Sequence, residues 1–88
     1  MTTWGSKEKD FLEVAVAAIP RVTEIVAAYP AECRSGALET AERCYMEAAR
    51  DFGCTEVAAL TRVSEVMGNL RTQVAAVTAW QAASGQLA

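Results

Sequence analysis

Residues 55–81 read TEVAALTRVSEVMGNLRTQVAAVTAWQ, and within them Leu60, Val63, Met67, Leu70, Val74, Val77 and Gln81 recur at alternating steps of three and four. That spacing returns an apolar side chain to one face on every turn of an α-helix, and no strand produces it. Thr55 has the side chain of a helix N-cap, and Glu56 sets a negative charge in the first turn, where the helix dipole favours it. Gly68-Asn69 interrupts the composition without shifting the phase, and a mid-helix Gly costs only about 1 kcal/mol against Ala. The pattern predicts one helix over 55–83, about 43 Å long at the standard rise.

The same reading carries upstream. Leu38, Ala41, Tyr45, Ala48 and Phe52 step 3-4-3-4, with Ala37 and Cys44 beside them and Glu39, Glu42, Arg43, Glu47 and Arg50 on the other face. A helix is expected from 31 or 36 to 52, opened by Pro30 or capped by Ser35, with a Glu39–Arg43 pair one turn apart and Gly53 just past its end. In residues 7–29, Phe11, Ala15, Ala18, Val22, Ile25 and Tyr29 make a core stripe, and Leu12, Ile19 and Val26 a parallel one. Ser6 is the expected cap. Pro20 lies inside that stripe without breaking its phase, which predicts a helix kinked there rather than two separate ones. No stretch alternates as a strand would. The fold expected is all-α: a single domain over 1–88, a three-helix bundle with a long C-terminal helix, completed by oligomerisation or a partner.

Composition narrows the function. Hydrophobic residues make up 52% of the 88, but 18 of them are Ala, so the core rests on few large side chains. A domain this small gains little net free energy from its own core, and association helps it. Eight basic and 11 acidic residues are interspersed to a net charge of −3, with no basic patch. Direct nucleic-acid binding is therefore not expected. The polar, mixed-charge start is unlike a signal peptide, and the run 72–88 is too short and polar to cross a membrane. Three Cys without CxxC spacing suit a reducing compartment, so a cytoplasmic protein is expected.

Catalytic chemistry is poorly supplied. The chain has no His, which removes the commonest general base and the usual transition-metal ligand. The helical acidic pairs are interspersed with Arg, which makes them a solvated face rather than a metal site, and the five Gly are isolated rather than grouped into a phosphate loop. No enzyme, metal, cofactor or small-molecule ligand is expected. Cys44 lies on the apolar side of its helix, as a small buried thiol. Cys54, just ahead of a helix N-terminus, is the one candidate for a reactive thiol, with Cys33 or Cys44 to resolve it.

The last 17 residues, Thr72 to Ala88, carry no charged side chain yet include Trp80. A solvated helix normally shows charge on its outer face, so this end is expected to be covered by a second polypeptide. The surface implied is Leu70, Gln73, Val74, Val77, Trp80 and Gln81, with Trp4 as a second anchor, since Trp is enriched at interface hot spots. The expected function is non-catalytic: binding a protein partner or a second copy through the C-terminal helix, as an adaptor, chaperone-like subunit or inhibitor. Three alternatives stand beside it: a phage-type inhibitor, such as an anti-CRISPR-like protein occupying a surface of a larger complex; a thiol-dependent redox protein using Cys54; and a ligand-binding bundle with a hydrophobic pocket between helices kinked at Pro20.

Overall fold

The structure is a computed structural model that describes the backbone of residues 4–87 and the side chains of residues 8–84. Three helices account for nearly all of it: α1 (Trp4–Ala28), α2 (Ala31–Asp51) and α3 (Glu56–Leu87). Short turns join them, so α1 and α3 run parallel and α2 runs against both. The bundle is slender, 58 × 21 × 15 Å.

Local chemistry sets the turns. α2 starts at Ala31, directly after Pro30, whose missing N–H costs nothing at that position; Ser35 lies inside the helix rather than capping it. At its other end the Phe52, Gly53 and Cys54 amides return to the carbonyls of Ala48, Arg50 and Ala49. Gly53 takes φ 91°, the left-handed conformation that a side chain resists. Thr55 then caps α3: its Oγ1 accepts the Ala58 amide at 3.1 Å. Arg50 straps the turn, its Nε 2.7 Å from Glu56 Oε1. α1 has no basic residue in its last turn. Arg34 supplies the cation from α2, donating to the Ala27 carbonyl at 3.3 Å.

The core is built on α3. Ala59, Val63, Val66, Met67, Leu70 and Val74 are buried along its seam, against Phe11, Ala15, Ile19 and Val26 of α1 and Tyr45 and Ala49 of α2. Phe11 meets Phe52 edge to face, ring centroids 5.9 Å apart, closing the end of the core beside the α2–α3 turn. Pro20 sits inside a helix that stays continuous across it, and Gly68 likewise interrupts nothing.

Several positions depart from the sequence expectation. α1 turns Phe11, Ala15, Ile19 and Val26 to α3, which leaves Ile25 and Tyr29 of the expected core stripe 50% and 47% exposed. Two apolar stripes lie side by side on α1, and α3 covers the side nearer Ile19. Leu60 is 58% exposed because Ala59 occupies the seam and the next residue is turned about 100° away from it. Cys44 is exposed for the same reason, Tyr45 having taken the inward position. α1 begins by Trp4, so Ser6 is inside the helix and not its cap. Among the described residues Glu39 and Arg43 form no ion pair; instead Arg71 of α3 reaches Glu42 at 3.4 Å, and Arg62 lies between Glu65 and Glu8. α3 continues to Leu87, past the expected 83.

Leu70→Ala should cost about 2–5 kcal/mol of unfolding free energy, as large-to-small changes in a packed core do. Leu60→Ala should change it by no more than about 0.5 kcal/mol. Urea melts of the two variants measure both, and equal costs would contradict the assignment of the seam.

Candidate functional site

No group of three or more His, Cys, Asp or Glu that could hold a metal ion occurs among the described residues. No described helix is long and apolar enough to cross a membrane. Apart from the buried Tyr45, the ionisable side chains with shifted affinities belong to surface ion pairs. Glu56 is held below the usual carboxylate range by its hydrogen bond and charge pairing with Arg50, and Arg62 is raised chiefly by Glu65 and then by Glu8. Such exposed pairs position side chains and add little stability. The features that stand out fall in three places.

The first is the far end of the bundle. Because α1 and α3 run parallel, the uncharged stretch of α3 from Thr72 lies at the same end as residues 25–31, IVAAYPA, which also carry no charge. Trp80 is 70% exposed there. The hydroxyls of Thr72 and Thr78 turn back onto the carbonyls of Gly68 and Val74 at 3.0 and 2.9 Å, so both are engaged within the helix. The structure divides the surface expected from the sequence. Leu70 and Val74 are taken up by the chain's own core, and Val77 is half covered. Gln73, Trp80 and Gln81 remain exposed. Trp4 opens α1, but its side chain lies outside the described residues.

The second is a groove of about 390 Å³ between α1 and α3, lined by Val16, Ile19, Pro20, Thr23, Asn69 and Gln73 among others. Thr23 Oγ1 is buried in it without a hydrogen-bond partner. Pro20 likewise offers no N–H to the Val16 carbonyl one turn earlier.

The third, a wider groove of about 760 Å³, separates α1 from α2 on the side away from α3. Val22, Ile25 and Tyr29 form one wall, and Gly36, Thr40 and Cys44 the other, with no charged residue in the lining. Its hydroxyls are used within the chain: Thr40 Oγ1 donates to the Gly36 carbonyl at 3.0 Å, and Tyr45 Oη lies 3.5 Å from the Ala15 carbonyl. Burial holds the Tyr45 phenol above its ordinary value. Cys33 and Cys44 both line this groove as exposed thiols. Held eleven residues apart on one helix, about 16 Å, they cannot pair with each other. Cys54 is half-buried and packs against the core beside the α2–α3 turn.

Sequence reasoning missed the α1–α2 groove. Its signal was present in the two parallel stripes of α1, which are more apolar surface than one neighbouring helix can cover.

Fold and surface together define a small all-α bundle with apolar faces left open. A scan against protein-family models finds no match, and neither do comparisons with curated proteins and with solved structures.

The raised Tyr45 affinity has a consequence for alkaline stability. The unfolded chain releases the phenol proton near pH 10, before the folded chain does, so this contribution is complete below that pH and is lost as pH rises through the folded value. Urea midpoints from about pH 9 to 11 should therefore fall more steeply for the wild type than for Tyr45→Phe. Parallel curves would contradict the burial of the phenol.

Proposed function

We propose that this protein acts by binding another protein, without catalysis, through the uncharged end of α3. The observation that carries this reading is Trp80: a large aromatic side chain, 70% exposed, on a helical segment with no charge from Thr72 onward. Solvated helices of small proteins place charge on the outer face, as α2 does with Glu39, Glu42, Arg43 and Glu47. A bare Trp among Gln, Ala and Thr is instead the composition of an interface anchor. Gln73 and Gln81 flank it with amides able to donate and accept at the rim. Leu70 and Val74, buried in the core, tie the start of the segment to the bundle, and the helix continues from them through Trp80. An adaptor or an inhibitor would use this surface in the same way; the partner it accepts is a protein that presents an apolar groove or helix face.

The test is affinity capture with the wild type and with Trp80→Ala. The variant should keep the wild-type melting temperature, because Trp80 contributes little to the core, and its unfolding free energy should move by no more than about 0.5 kcal/mol. It should also lose a partner that the wild type retains, with affinity weakened about tenfold or more. Identical binding by the two proteins would overturn the reading.

A further inference from the structure

The groove between α1 and α2 is floored by Val26 and Tyr45 of the core, and no residue of α3 lines it. Two hydrogen bonds set its register: Ala15 lies opposite Tyr45, and Ala27 opposite Arg34. Arg21 is therefore level with Glu39 and Thr40, midway along. On the α1 side the groove is bordered by a ridge of Ile25 and Tyr29, 50% and 47% exposed, and Val14, 57% exposed, continues the same helix face one turn before the lining begins at Ala18. On the α2 side its wall is small: Cys33, Gly36, Ala37, Thr40, Cys44 and Ala48 follow one another at steps of one, three or four. Residues 14–29 and 33–48 each span fifteen steps, about 22 Å of helix. The ridge is as long as the wall.

We infer that this face seats a second copy of the same chain. A large ridge lying directly beside a small-walled groove of equal length is self-complementary under a two-fold rotation. The ridge of each copy enters the groove of the other, with α1 crossing α1 near Arg21. Small residues along α2 let the helices approach closely, and the groove lining itself carries no charge.

The rims match in sign. Arg21 is the one charged residue on the ridge between Val14 and Tyr29 and forms no ion pair among the described residues, while the outer rim of α2 carries Glu32, Glu39 and Glu47 against Arg43. The two-fold brings Arg21 level with Glu39 of the second copy. The hydroxyls of Thr40 and Tyr45 are already engaged, so the groove offers a polar ligand little to bond. A patch about 22 Å long and two helix diameters wide has a flat footprint of about 450 Å². The relief of the ridge raises this toward the ~600 Å² per partner at the low end of specific interfaces, the size class of weak, reversible association.

Gly36 provides a test that separates association from folding. A Cβ built on it meets no atom within 4 Å, so a larger side chain there fills the groove without disturbing the chain's own packing. Sedimentation equilibrium over the micromolar range should find the wild type in monomer–dimer exchange. Gly36→Leu should melt at a higher temperature, because Leu favours helix more than Gly, yet dimerise about tenfold more weakly or worse. Ile25→Asp, at a half-exposed position, should also be monomeric. Arg21→Glu should weaken the dimer, and Glu39→Arg added to it should restore it. A wild type that stays monomeric throughout, or a dimer indifferent to Gly36→Leu and Ile25→Asp, would overturn the assignment. So would native mass spectrometry showing a monomer that retains an apolar small molecule and loses it in Gly36→Leu. Trp80→Ala should leave this equilibrium unchanged, which keeps the two surfaces experimentally distinct.

Discussion

Everything in this molecule depends on the burial of one seam of α3. Val63, Val66, Met67 and Leu70 are almost completely enclosed, and α1 and α2 contribute to the core through the faces they turn toward them. With so many Ala in the chain, few side chains are large enough to supply substantial transfer free energy, and α3 brings most of those that α2 lacks. The cost of this arrangement is geometric. Three helices packed on one seam leave the outer side of the α1–α2 pair uncovered, and α1 has more apolar surface than α3 can hide.

That imbalance links the fold to its proposed use. Two of the open surfaces among the described residues differ in character. One is a charge-free end anchored by Trp80 and flanked by glutamines. The other is a long groove with a ridge beside it, bordered by an arginine on one rim and carboxylates on the other. A Trp on an uncharged tip suits a pocket or groove in a different protein. A ridge next to a groove of matching length suits its own image. The two surfaces can be occupied together, because the groove opens away from α3.

Local structure was legible in the sequence because local chemistry governs it. Thr55, Gly53 and Pro30 each mark a helix end by a property of the residue itself, and the three-four spacing marked all three helices. Orientation was less legible. Whether α1 presents the stripe through Ile25 or the one through Ile19 depends on which neighbour covers it, and neither stripe carries that information. The same ambiguity of about 100° between adjacent residues put Leu60 and Cys44 on the wrong side of their helices. The cap that Arg34 places on α1 joins two elements and has no signature within either. The surface expected at the end of α3 was only partly available because a helix long enough to outrun α2 still has α1 running parallel beside it, so Leu70 and Val74 were already engaged.

The most direct measurement of the central claim, that the open α1–α2 face is an association surface, is the alkylation rate of Cys44 as protein concentration rises, read residue by residue with mass spectrometry. Cys44 is exposed in the single chain and lines the groove. The account predicts rapid modification in dilute solution that slows as copies associate, with Cys33 slowing alongside it. A Cys44 rate that stays fast and independent of concentration throughout would contradict it.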